Sequence, residues 1–244
     1  MDTSQSAPNL KAAIRKLVIL PIGSCEQHGP YLPVDTDLRI AQLLAEKLAQ
    51  LFLDEEMLLL PALPFSCSWE HKGLGTIALN TATLSAILHD VAYSLGSWNT
   101  PIFLVLLNWH GGNGILSSLA AEVTAREGIP TTVIQAISQA GSTWDDNAIN
   151  DVHAGAIETS IIQAYWPDLV PYPLPKNAHY VPDVTPASTQ SALTLGIHAI
   201  TPKGIWGDPE QSNPEQGKRL ISVLAGNIHD QIAKLLELVN TSQL

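Results

Sequence analysis

The sequence predicts an α/β fold in which a parallel sheet is covered by helices on both faces. Three observations carry that prediction. Apolar runs of strand length alternate with segments whose apolar residues recur at helical spacing. The runs are continuously apolar, as strands buried on both faces are, rather than alternating. Most connections between them are short, the pattern of strand–helix–strand units. A chain of 244 residues fits one such domain.

The elements follow in order. Residues 1–10 read as a polar, disordered tail, and 11–244 as one domain. Lys11 to Lys16 predicts a short helix leading into a first strand, Leu17 to Ile22. A long loop follows, and Asp35 or Thr36 can cap a helix with Ile40, Leu43, Leu44, Leu48 and Leu51 on one face. Met57 to Leu63 predicts a second strand, closed by Pro64. After a loop from Phe65 to Ile77, Thr81 or Thr83 starts a helix ending near Gly96. Ile102 to Leu107 is the third and most apolar strand, Ile115 to Arg126 a helix stopped by Gly128, and Thr131 to Ile137 the fourth strand. Beyond Ser138 the pattern weakens. A helix after Asp151 stops at Trp166-Pro167, Leu169 to Pro186 reads as an extended excursion, and a last helix runs from about Pro214 to Val239.

Composition narrows the partners. A net charge of −11 argues against a nucleic-acid backbone or an anionic membrane, though not against a small anionic substrate beside a metal. Only 14% of residues are charged against 45% hydrophobic, which predicts surface buried against other subunits. Cys25 and Cys67 sit in loops, and so cysteine-poor a chain fits a reduced cytoplasm without a disulfide. The polar start has no signal-peptide core, and no apolar run reaches ~20 residues, so no membrane span is expected.

Polar clusters follow three successive strands. Glu26 and His28 point the same way in extended chain, and Asp37 at the next helix start can fold back towards them. Such a set suits zinc, manganese or iron(II), and the alternative is a polar loop with Asp37 as a helix cap. Asn108-Trp109-His110-Gly111-Gly112-Asn113 puts an imidazole at a strand's carboxyl end. The glycines allow close backbone approach to a ligand, or form only a tight turn. A nucleotide loop is a third reading, lacking the dinucleotide fingerprint. His153 and Glu158 open a helix, where an acidic residue is a ligand, a base or simply favoured. Glu70 and adjacent His71 point apart, so one of them can reach a site. Ser68, Glu70, Gly111, Gly112 and Asn113 are the candidate substrate contacts. His89, His179, His198 and His229 lack carboxylate or glycine context and are read as non-functional. Together the clusters point to metal-assisted hydrolysis, because a metal lowers the pKa of bound water to ~7 and polarises a carbonyl. A metal-binding protein without activity, a sensor or scaffold, is the alternative.

Three stretches carry a resemblance. Pro-Ile-Gly-Ser-Cys-Glu-Gln-His-Gly-Pro-Tyr-Leu-Pro-Val-Asp-Thr-Asp (21–37), Asn-Trp-His-Gly-Gly-Asn (108–113) and His-Ala-Gly-Ala-Ile-Glu-Thr-Ser (153–160) resemble the signatures of the creatininase (creatinine amidohydrolase) family. Ser-Trp-Glu-His, Gly-Thr-Ile and Gly-Ile-Trp-Gly-Asp-Pro are similar to its weaker motifs, so the likeness runs from about Leu17 to Leu236. The resemblance implies a three-layer α/β/α fold, a hexamer and two divalent metal ions, zinc with zinc, manganese or iron. It implies Glu26 and His110 as ligands of one metal, His28 of the other, Asp37 as the bridging carboxylate and Glu158 as a further ligand. A hydroxide bridging the metals would attack the carbonyl of a small cyclic or linear amide, a C–N bond other than an ordinary peptide bond, and His153 would shuttle the proton. Three positions depart from the family pattern. Gly112 stands where creatinine-cleaving members have a glutamate, Ile149 where they have a pocket tryptophan, and Tyr31 where the motif has a histidine. Creatinine and a formamidopyrimidine nucleotide are both within the family's range of amides.

Overall fold

Strand β1 (Leu17–Ile22) is the axis of the molecule. It lies between β2 (Met57–Leu59) and β3 (Phe103–Asn108), and β4 (Thr131–Gln135) extends the sheet beyond β3. All three pairings are parallel. The structure, a computed structural model, describes residues 2–6, 17–52, 57–144, 151–176 and 184–241.

Every residue of β1 and β3 is buried, which a strand covered on both faces requires. Alternate residues serve alternate layers. Val18, Leu20 and Ile22 join a core with α2 (Thr81–Gly96) and α3 (Leu116–Glu127). Leu17 and Ile19 join the opposite core. That core is closed by α1 (Thr36–Ala49), α4 (Ala136–Trp144), α5 (Ala156–Tyr165) and α7 (Pro214–Thr241). The result is the three-layer α/β/α arrangement. Burying each such aliphatic side chain contributes about 1.5–3 kcal/mol. No helix among the described residues is long and apolar enough to cross a membrane. Both cysteines are free.

Several boundaries differ from the sequence reading. β2 ends at Leu59 rather than Leu63. The Leu60 N–H still reaches Ile19 O and the Leu63 N–H reaches Pro21 O, so three residues on this side oppose two on β1. That is a bulge, placed at Pro61, which has no N–H to give. Helix α4 begins directly after Gln135, where the sequence extends the strand to Ile137. Ala136 and Ala140, four residues apart, are its buried stripe, and small side chains give a weak periodic signal. Helix α6 (Pro186–Leu195) was not anticipated at all. Its start is a capping box between Thr185 and Ser188 with Pro186 at the first position, a polar device without an apolar pattern. The tail is not wholly free: Asp2 makes a parallel bridge with Leu59, using the open backbone of an edge strand. The predicted Lys11 to Lys16 helix, His179 and Ile149 lie outside the described residues.

One contact decides where the loop after β1 goes. A Cβ on Gly23 would lie 2.4 Å from both Cα and N of Leu38. The first turn of α1 therefore rests on the end of β1, which brings Asp37 back over Glu26 and His28. Gly23→Ala is expected to cost about 1–3 kcal/mol through this backbone clash, lowering the thermal midpoint by several degrees. Gly114→Ala, where an added Cβ meets nothing within 4 Å, should leave it unchanged. Paired melting curves check both.

Candidate metal centre

The carboxyl ends of β1 and β3 deliver the first residues. β1 runs into Glu26 and His28, and β3 runs into His110 through Asn108 and Trp109. Asp37 arrives on the first turn of α1, and Glu158 on the first turn of α5. Glu26, His28, Asp37, His110 and Glu158 are all buried, as is His153.

Asp37 is the hinge of the group. Its Oδ1 lies 3.3 Å from His28 Nε2 and its Oδ2 lies 3.1 Å from His110 Nδ1. Glu158 Oε2 stands 3.6 Å from His28 Nε2, and Glu26 Oε2 stands 3.2 Å from His110 Nδ1. Two donor groups thus share one carboxylate. The α1 capping position, Asp35, makes no cap bond and pairs with Arg39 instead, 2.8 Å away, so no helix-capping role competes for Asp37.

Each imidazole is oriented by a backbone carbonyl. His28 Nδ1 is 3.1 Å from Glu26 O, His110 Nε2 is 2.9 Å from Cys67 O, and His153 Nε2 is 2.8 Å from Gln27 O. Each of those nitrogens must carry the proton to make its bond. The other nitrogen is left bare and aimed at carboxylates, which is how ligating histidines are held. A bare nitrogen 3.1 Å from a carboxylate oxygen is repulsive unless a proton or a cation stands between them. His28 Nε2 and Asp37 Oδ2 are also buried without a hydrogen bond. The donor set fits one or more divalent cations, with nitrogen and carboxylate ligands suited to zinc, manganese or iron.

The same charges set the proton affinities. Burial alone would push His28 down, but Asp37 and Glu158 outweigh it and hold its pKa well above the ordinary value. His110 is likewise raised, burial being outweighed by Glu26 and Asp37. Burial would raise Glu26, yet His110 holds it well below the carboxylate range. Glu158 falls to about 2 because His28 outweighs its burial. His153 is lowered by burial and then by His28.

The remaining sequence candidates divide. Ser68 Oγ contacts Ser24 Oγ and lies 3.2 Å from His110 Nε2. Ser24 Oγ donates to Glu26 Oε2 at 3.0 Å, so Ser68 belongs to a network that holds Glu26 and His110. Asn113 is engaged at both ends of its amide, accepting from Cys67 N and donating to Asn108 Oδ1. Both side chains are fully buried and bonded within the frame of the site. Glu70 stays at the centre, with Oε1 3.7 Å from His110 Nε2 and its pKa raised by burial. A Cβ on Gly112 would sit 2.0 Å from that Oε1, so the glycine leaves room for the Glu70 carboxylate. Gly111 has open space around it. Tyr31 packs against the larger core. His89 pairs with Glu127, and His229 with Asp230, away from the site.

Both Glu70 and His71 reach the group, where the sequence predicts one of the two, and Trp109, Ala154 and Gln27 join it although none is a candidate from sequence. His71 Nε2 lies 3.5 Å from Glu26 Oε1, inside the group. Trp109 Nε1 donates to Glu158 Oε1 at 3.2 Å, and Ala154 N donates to Glu158 Oε2 at 2.8 Å. Gln27, between two candidate ligands, contacts His71, His153 and Gly204. The only available signals were adjacency to Glu26, His28, Glu70 and His110.

A buried cluster of imidazoles and carboxylates at the carboxyl edge of a parallel sheet is a site that could hold metal ions. The family described as creatininase, creatinine amidohydrolase, matches residues 3–232. The chain belongs to the creatininase family, and with it to the metal-dependent hydrolases of amide bonds. It is 30% identical over 229 residues to the mycofactocin precursor peptide peptidase of Mycolicibacterium smegmatis, covering 89% of this chain and 85% of that one. It is 24% identical over 239 residues to the creatinine amidohydrolase of Pseudomonas putida, covering 88% of each. A solved manganese creatininase superposes with a TM-score of 0.73 at 21% identity, covering 96% of this chain and 97% of that one.

A cation must displace the protons that His28 and His110 hold with raised pKa values. Binding is therefore expected to release protons and to weaken as pH falls. The weakening should set in above the ordinary imidazole value of about 6.5, because the raised groups stay protonated there. Calorimetry in buffers of different ionisation enthalpy reads the proton count, and pH-independent binding would contradict it.

Proposed function

We propose that this chain hydrolyses a linear amide, with a short peptide as the first substrate to test, at a centre of two divalent cations. The observation that carries the reading is Asp37, whose two oxygens face two different bare imidazole nitrogens. Glu26 and His110 would hold one cation, His28 and Glu158 the other, and Asp37 both. Zinc, manganese or iron would supply an acidified water and draw charge from the scissile carbonyl.

The protein's own groups do the rest. Nε2 of His153 is committed to the Gln27 carbonyl, so only Nδ1 can accept and pass on a proton. Its lowered pKa keeps it neutral and ready to accept the proton released as water attacks. It then delivers that proton to the leaving nitrogen. Trp109 and the Ala154 N–H hold Glu158, and Ser24 holds Glu26, so the ligands are positioned before substrate arrives.

Gly112 supports an amide other than creatinine, because the glutamate of creatinine-cleaving members is missing at that position. The peptidase name of the Mycolicibacterium relative supports it too. A cytoplasmic homo-oligomer, a hexamer as the family resemblance implies, completes the reading. Exposed Trp69, Leu74, Leu193 and Leu195 support association. Light scattering should give a multiple of the 26.2 kDa chain mass, and a monomer would contradict the assembly.

The test is a mass-spectrometric screen of metal-reconstituted protein against short peptides, formamidopyrimidine nucleotides, simple lactams and creatinine. Turnover of a linear amide is expected, falling at least about 100-fold in Glu26→Gln and in His153→Ala. Bound metal with no turnover of any amide would instead favour a non-catalytic metal-binding protein. Protein that binds no transition metal would sink both readings.

A further inference from the structure

Glu26, His71 and His153 form a group whose ligand atoms lie within 4.8 Å of one another, a third beside the groups of Glu26, His28 and Asp37 and of His28, His153 and Glu158. All three residues are buried. Geometrically it is as good a cation site as the others. Its proton positions say otherwise.

Those positions follow from Gln27. The Gly29 N–H approaches Gln27 Oε1 at 3.0 Å, and Gly204 O approaches Gln27 Nε2 at 3.2 Å. An N–H must meet an oxygen and a carbonyl must meet an amino group, so the Gln27 amide cannot be turned over. Its NH2 group then faces His71 Nδ1 at 2.9 Å. Its two hydrogens go to Gly204 O and, at the shortest of its contacts, to His71 Nδ1, so that nitrogen accepts: it is unprotonated and the ring carries its hydrogen on Nε2. The backbone of the same residue acts on the other ring. Gln27 O lies 2.8 Å from His153 Nε2, which must be an N–H, and this leaves His153 Nδ1 bare. The 3.2 Å approach of Gln27 Nε2 to His153 Nε2 is then a contact between two donors and carries no bond.

The two rings meet at one atom. His71 Nε2 is 3.5 Å and His153 Nδ1 is 3.6 Å from Glu26 Oε1, with ring centroids 4.3 Å apart. One ring offers this oxygen a hydrogen, and the other offers a lone pair. We propose that Gln27 sets the tautomers of both rings, so that His71 is a permanent N–H donor steadying Glu26 and the third group holds a proton instead of a third cation. His71 and Gln27 are positioning residues that act through Glu26. Their effect on metal binding rests on the two-cation reading above, whereas the tautomers do not.

The test uses the full chain, labelled with nitrogen-15, in metal-free form and loaded with diamagnetic zinc. Long-range proton–nitrogen spectra of histidine side chains distinguish the two neutral tautomers and the charged ring. His71 is expected as the Nε2–H tautomer and His153 protonated on Nε2 in both samples, with two zinc ions per loaded chain. In Gln27→Glu a carboxylate oxygen replaces the amino group and accepts from His71 Nδ1. His71 should then change tautomer, exposing Nε2, and a third zinc should bind. His71→Gln, which keeps an N–H at that end, should hold zinc within about 3-fold of the parent, and His71→Ala should lose about 10-fold or more. A His71 ring protonated on Nδ1 in the parent, or three zinc ions in the parent, overturns the proposal. If Gln27→Glu does not fold, the parent spectra and the His71 pair decide it alone. A parent that binds no zinc refutes the two-cation reading, while the metal-free spectrum still decides the tautomers.

Discussion

Glu26, Asp37 and Glu158 bring three carboxylates into one buried space, with Asp37 touching the imidazoles on either side. Buried charge of one sign is costly, by several kcal/mol per ion after relaxation, unless opposite charge is built in beside it. Without a cation the protein answers with protons, held on His28 and His110 far more tightly than free imidazoles hold them. Such an arrangement does not arise from packing. A divalent cation, with its higher charge, would relieve the site by replacing those protons. The sheet provides the means: β1 and β3 are neighbours and end at the same edge, so Glu26, His28 and His110 meet without any long loop having to find its place.

Orientation is the second theme. Three imidazoles are each tied through one nitrogen to a main-chain carbonyl, from Glu26, Cys67 and Gln27. Main-chain atoms are the least movable acceptors in the molecule, so the direction of each bare nitrogen is set by backbone geometry. The carboxylates have their own anchors, in Trp109, the Ala154 N–H and the Ser24 hydroxyl. Ser68 and Asn113 belong to this scaffolding, joining the segment before the Trp69–His71 turn to the residues after β3.

Much of this was legible in the chain. The continuous apolar runs gave the sheet, and the polar clusters after Ile22 and Leu107, with the helix start at Glu158, gave five of the converging side chains. What escaped was of two kinds. Helix α6 and the shortened β2 depend on a capping box and a bulge, neither of which leaves an apolar period. Gln27 and Trp109 act through contacts between segments far apart in sequence, such as Gln27 with Gly204, and no local pattern encodes those. Ser68 and Asn113, singled out by polarity and position, also bond buried backbone and histidine groups, a role that their local sequence does not display.

A side chain at Gly112 would meet the Glu70 carboxylate, the His110 ring and the Cys67 carbonyl together, so the main chain lies flush against the site there. The carboxylate beside His110 comes from Glu70, on the turn at Trp69–His71. Any larger residue at position 112 therefore presses on a main-chain carbonyl as well as on a side chain, and that carbonyl, Cys67 O, is the one that orients the His110 ring.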